Sequence, residues 1–127
     1  MTDSIARLHD AVLVARDADP ASSRTARLLR AGRSKVAKKL GEEAVEVVID
    51  AVHGSRENLV RESADLLYNL VVLWVAFGVD PKDVWKEMDR RERLFGIAEK
   101  LLKDPEAKAA RAKVAVFPIR RVRAKRR

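Results

Sequence analysis

SRENLVRESADLLYNLVVLWVAF, residues 55–77, opens on a serine able to cap a helix, keeps its charges in its first half and turns apolar nearly all round from Leu66 to Phe77. A helix apolar on most of its surface is a central element covered on most sides. Gly78 supplies the stop, Asp80 a cap, and Pro81 opens a further helix through Val84, Trp85, Met88 and Leu94, with Gly96 a kink or end before Ile97 to Leu102. Upstream, Ser34 reads as the N-cap of a helix to about His53, with Val36, Leu40, Ala44, Val47, Val48 and Ala51 on one side and Gly54 as its stop. Ile5, Leu8 and Val12 recur at helical spacing over Ser4–Asp17, and Thr25–Ala31 follows as a short second helix. Strand signals are absent before Ala112, so the expected fold is an all-α bundle of about four to five helices. The apolar surface of Leu66–Phe77 exceeds what such small neighbours cover, which predicts packing against a second copy; cover by the first helix of the same chain is the alternative.

Composition narrows the classes. The chain has 127 residues, 47% apolar and 36% charged, enough for one core. Its net charge of +8 is uneven. Residues 1–102 carry 17 basic and 17 acidic residues, while 103–127 carry 10 and 2, six of the basic ones among the last eight positions. The expected division is a neutral domain, 1–102, and a basic C-terminal extension, 103–127. No cysteine is present, which excludes disulfides, thiolate catalysis and cysteine-held metals and makes the cytoplasm the default compartment. The longest apolar run, Leu70–Val79, is about half the ~20 residues of a membrane span, and MTDSIARLHD lacks the apolar region of a secretory signal.

Two acidic clusters interrupt this pattern, Glu42-Glu43-Ala44-Val45-Glu46 and Glu62-Ser63-Ala64-Asp65. At 100° per residue Glu43 and Glu46 share a ~60° sector of one helix, and Glu62 and Asp65 share one on the next. Antiparallel neighbours would aim all four carboxylates at a common point. Converging anions beside Leu66, Leu67 and Tyr68 call for a cation. Hard oxygen donors suit Mg²⁺, with Mn²⁺ of the same coordination chemistry, and a zinc centre is disfavoured by the positions of His9 and His53. A solvated acidic face paired with Lys38, Lys39 and Arg61 is the bland alternative. Arg30, Arg33, Lys35, Lys38 and Lys39 precede the first cluster, and cations beside a metal describe a site for a phosphate ester or polyphosphate. The P-loop and GxGxxG patterns are absent, so neither of those phosphate sites applies. Trp74 and Trp85 read as core or interface residues, and the two histidines as incidental.

Glu42, Glu43 and Glu46, a 15-residue gap, then Glu62 and Asp65 form E-E-x-x-E…E-x-x-D. Together with KKLGEEAVEVVIDAV, ESADLLYNLVVLWVAFGV, DPKDVWKEMDRR and SSRTARLLRAG, this arrangement resembles the all-α nucleoside triphosphate pyrophosphohydrolases related to MazG, and among them the phosphoribosyl-ATP pyrophosphohydrolases of histidine biosynthesis. The resemblance spans about Ser4–Leu102. It implies Mg²⁺-dependent hydrolysis of phosphoribosyl-ATP between the α and β phosphates, giving phosphoribosyl-AMP and pyrophosphate. It further implies Glu43, Glu46, Glu62 and Asp65 as metal ligands, which leaves Glu42 to order or deprotonate the attacking water as general base, or else to pair with Lys38. Arg33, Lys38 and Lys39 would meet the phosphates, and a second subunit would complete the bundle as a homodimer or larger homo-oligomer.

Two features depart from that pattern. Arg24 stands before Thr25 where an aromatic residue is usual, and the tail is longer and more basic. They point to an alternative with the same chemistry, a paralogue acting on another nucleoside or deoxynucleoside triphosphate. A second alternative, outside enzymology, is a helical module whose basic tail binds nucleic acid by phosphate neutralisation.

Overall fold

The computed structural model describes residues 3–95, and these form five helices and no strand: α1 (Ser4–Arg16), α2 (Arg24–Arg30), α3 (Arg33–His53), α4 (Arg56–Phe77) and α5 (Pro81–Phe95). The all-α expectation holds among these residues. The kink at Gly96, the segment Ile97–Leu102 and the basic extension 103–127 lie outside the described residues. The chain divides into one compact unit, Met1–Asp83, and a second that begins at Val84.

Local signals account for most helix ends. Asp3 accepts from the Ala6 N–H to start α1, Ser23 from Ala26 to start α2, and Ser55 from Asn58 to start α4. Gly54 (φ 75°) and Gly78 (φ 71°) end α3 and α4 in the left-handed region that favours glycine. Ser34 does not cap α3. The chain turns one residue pair earlier, at Gly32 with φ 100°, so Ser34 falls inside the first helical turn and the N-cap has no side-chain acceptor.

In the first unit, α3 and α4 form a hairpin joined by Gly54 and Ser55, α1 lies along α4, and α2 touches α1, α3 and α4. Its core is Val12, Val36, Val71, Val72 and Val75, flanked by Ile5, Leu8, Leu13, Leu28, Leu29, Tyr68, Leu73 and Trp74. The core-facing stripe of α3 runs through Val36, Leu40, Glu43 and Val47 at helical spacing. Val48 and Ala51, expected on that side, are exposed instead. Val48 belongs to the other side with Val45 and Val52, so α3 carries an apolar stripe on each side, while Ala51 follows the core stripe one turn past Val47 and is exposed near the end of the helix.

α5 begins at Pro81, and residues 84–95 of it are the described part of the second unit. Glu87 holds both Arg90 and Arg91, at 2.7 and 2.9 Å, and these two guanidinium groups lower its carboxyl to about 2. Met88 and Leu94 are exposed on the same helix.

Candidate active site

Because Glu43 sits in the core stripe of α3, its carboxylate is buried against α4. One carboxylate oxygen from each of Glu43, Glu62 and Asp65 lies within 4.8 Å of the other two. Three of the four expected acids therefore meet. Glu46, three residues past Glu43 and 60° round the helix, falls on the solvent side. It still reaches Glu62, and its carboxyl group, sharing a hydrogen bond, is the largest cause of a raised Glu62 pKa. Burial and the charges of Glu46, Asp65 and Asp50 push the same way.

Glu62 Oε2 is sealed from solvent, and no hydrogen-bond partner among the described residues meets it. A half-buried carboxylate facing other carboxylates is a poor arrangement for protein alone. It is a good one for a divalent cation, and the all-oxygen donor set of Glu43, Glu62 and Asp65 could hold Mg²⁺ or Mn²⁺. The raised pKa makes the protonated form of Glu62 the one the metal-free fold favours. Its stabilising contribution is fully present below the ordinary value of 4.5 and is lost as pH rises through the higher native value. Urea titrations of the metal-free protein should show stability declining as pH rises above the ordinary value of 4.5, more than in Glu62→Gln. Identical pH dependence in the two proteins would contradict this.

Lys39 closes the cluster on one side, its Nζ 2.9 Å from Glu43 Oε1. The hydrogen bond and charge of Glu43, with smaller contributions from Glu42 and Glu46, hold the Lys39 ammonium above its usual pKa, so it stays cationic. The three acids and Lys39 do not all share one wall: Lys39, Glu43 and Asp65 line a cleft of about 760 Å³ with Arg24, Thr25, Arg27, Leu28, Tyr68 and Asn69. Arg27 is braced in that lining by Nη1 donating to Pro20 O at 2.6 Å. Thr25 Oγ1 and Tyr68 OH share a hydrogen bond across α2 and α4.

The remaining candidates lie elsewhere. Glu42 and Lys38 are exposed on α3 and do not line the cleft. Adjacent residues on a helix are 100° apart, so with Lys39 turned to the acids Lys38 turns away. Arg33 is six residues, about 9 Å, before Lys39 along the axis. It is committed to the end of α4, with Nε donating to Ala76 O at 3.2 Å and its guanidinium 4.5 Å from the Phe77 ring centre. It lines a second hollow with Arg16 and Arg30.

Arg27, Tyr68 and Asn69 were not singled out by sequence reasoning, which followed charge runs and acid pairs. Asn69 carries a signal of its own, as the one amide within the apolar run Leu66–Phe77.

Comparison with known proteins adds the lineage. The family model described as phosphoribosyl-ATP pyrophosphohydrolase matches residues 5–92. A Rhodopseudomonas palustris protein named phosphoribosyl-ATP pyrophosphatase 2 is 66% identical over 110 residues, covering 87% of this chain and 84% of the relative. One of the same name from Bradyrhizobium diazoefficiens is 68% identical over 103 residues, covering 81% and 77%. A Granulibacter bethesdensis phosphoribosyl-ATP pyrophosphatase is 56% identical over 108 residues, covering 85% and 62%. With the family's region holding both acid pairs and the cleft that Glu43 and Asp65 line, the chain belongs to the phosphoribosyl-ATP pyrophosphohydrolase family.

Proposed function

We propose that this chain hydrolyses phosphoribosyl-ATP between its α and β phosphates to phosphoribosyl-AMP and pyrophosphate, a cytoplasmic step of histidine biosynthesis. The observation that carries the reading is the meeting of Glu43, Glu62 and Asp65 within 4.8 Å beside a cationic cleft. The names of the relatives agree with it. In this proposal Glu43, Glu62 and Asp65 hold Mg²⁺, with Glu46 joining through Glu62. The ion, when bound, lowers the pKa of its water and neutralises charge on the pyrophosphate leaving group.

The chain's own residues do the rest. Lys39, kept cationic by Glu43, meets phosphate oxygens, and Arg24 and Arg27 offer guanidinium groups from the α2 wall. Glu42, exposed on α3 one turn before Glu46 and outside the cleft lining, is the acceptor proposed for the proton of the attacking water. Lys39→Ala should raise KM about tenfold or more with a smaller effect on kcat, while Glu42→Gln should lower kcat by about 10². Steady-state kinetics check both. Unchanged constants would make Lys39 an ordinary partner of Glu43, or Glu42 a surface acid.

The assembly is part of the proposal. Val45, Val48, Ile49 and Val52 on α3 and Val60 and Leu67 on α4 are exposed large apolar residues on the two helices that carry the acids. A second copy packed on this face would bury them and form a homodimer.

Pyrophosphate release measured on phosphoribosyl-ATP beside a panel of nucleoside and deoxynucleoside triphosphates, with and without Mg²⁺, tests the function. Metal-dependent preference for phosphoribosyl-ATP is the expected result. Preference for another triphosphate would move the substrate and keep the chemistry, a second reading that the presence of Arg24 in the cleft lining favours. No single described helix is long and apolar enough to cross a membrane.

A further inference from the structure

Asn69 stands out on α4 because it is almost wholly buried, 3% exposed, yet only half satisfied. Its Nδ2 donates to the Asp65 carbonyl at 2.8 Å, one turn back. That contact fixes the amide, since the reversed orientation would set two acceptors face to face. Oδ1 is then out of solvent's reach and has no hydrogen-bond partner among the described residues. The residue lines the same cleft as Asp65, Thr25, Tyr68 and Arg24. A buried acceptor left unpaired is costly, and one in a cleft wall is paired when a ligand supplies the donor.

The chemistry of the amide says which part of a ligand it can meet. Ionised phosphate oxygens only accept hydrogen bonds, as Oδ1 does, so Oδ1 has no use for a phosphate. Its partner must carry an N–H or O–H. Asn69 lies four residues past Asp65 on one face of α4, about 6 Å along the axis. With the phosphates at the acids and Lys39, the portion of a nucleotide one helical turn away is its nucleoside.

We infer that Asn69 Oδ1 accepts a hydrogen bond from a neutral donor on the nucleoside part of the substrate, a sugar hydroxyl or a base N–H, and thereby sets which triphosphate the cleft selects. The inference rests on the pyrophosphohydrolase reading above. It makes Asn69 a specificity residue that touches substrate, distinct from the acids that serve every triphosphate alike.

The test compares kcat/KM for pyrophosphate release, in Mg²⁺, on phosphoribosyl-ATP and on two analogues, one lacking sugar hydroxyls and one lacking the base N–H donors. The unaltered protein should lose about tenfold or more on one of the two, chiefly through KM, and which analogue suffers tells sugar from base. Asn69→Leu should lose a similar factor on the parent and show no further loss on that analogue. Asn69→Ser, smaller and too short to reach, gives the same readout if leucine does not fit. Equal kcat/KM on the parent and both analogues by the unaltered protein overturns the inference with no variant needed. A folded Asn69 variant that keeps the full analogue penalty overturns it too, by making the residue merely structural. If the unaltered protein releases pyrophosphate from no nucleotide, the pyrophosphohydrolase reading itself falls and takes this inference with it, a result that differs from turnover without discrimination.

Discussion

Asp65→Asn should lower pyrophosphate release by on the order of 10³-fold while leaving the metal-free fold as stable as before or more so. The two halves of that expectation come from the same geometry. Asp65 contributes one of three carboxylate oxygens within 4.8 Å, so the substitution removes a charge that a divalent cation would need. The same charge is one of those that raise the Glu62 pKa, and its removal relieves repulsion in the protein without metal. Its side chain is exposed, so asparagine of similar shape leaves no cavity. Activity assays paired with thermal unfolding, each with and without Mg²⁺, separate the outcomes. A variant as active as the parent would sink the metal assignment. A variant that simply unfolds would show that Asp65 holds the hairpin together.

How far the sequence carries such an argument differs from residue to residue. Helix limits were legible wherever a cap or a glycine marks them, as at Ser55, Gly54 and Gly78. Ser34 misled because a serine two residues after a glycine looks like a cap, whereas the positive φ of Gly32 had already turned the chain. The acids were legible as spacing, and the difference between Glu43 and Glu46 was not. Periodicity gives a sector about 60° wide, and whether its edge is buried depends on how close the neighbouring helix comes. Arg33 and Lys39 looked equivalent in a basic run. Only the packing of α3 on α4 sends one to the end of α4 and the other to Glu43. Arg27 and Tyr68 reach the cleft through the approach of α2 to α4, a long-range contact that no local pattern encodes.

The double substitution Val48→Lys and Val52→Lys should convert the protein to a monomer and greatly reduce turnover. Val52 is 80% exposed and Val48 61%, so within one chain neither change removes core contacts. In a two-fold interface each substitution occurs twice, and fully burying a valine stabilises by roughly 1.5–3 kcal/mol. Four lost side chains, replaced by like charges, weaken pairing by roughly 6 kcal/mol or more, about 10⁴-fold at ~1.4 kcal/mol per decade. Sedimentation equilibrium gives the mass and the pyrophosphate assay the activity. An unchanged mass would place the interface, if any, elsewhere. A fully active monomer would show that one chain's α3 and α4 suffice.

On α3 the buried face threads Val36 and Glu43, and on α4 it threads Asn69 and Val72, with Glu62 half-buried and Asp65 at the exposed edge, and only Gly54 and Ser55 join the two helices. Sliding one helix by a single residue would rotate its side chains by about 100° and break the valine packing and the acid cluster together. Chemistry and stability therefore share one registration mark. Length variation can be absorbed in the Asp17–Ser23 connection, which carries no acid of the cluster, but hardly in the two-residue link of the hairpin. A chain that folds has, by that act, already aimed its carboxylates.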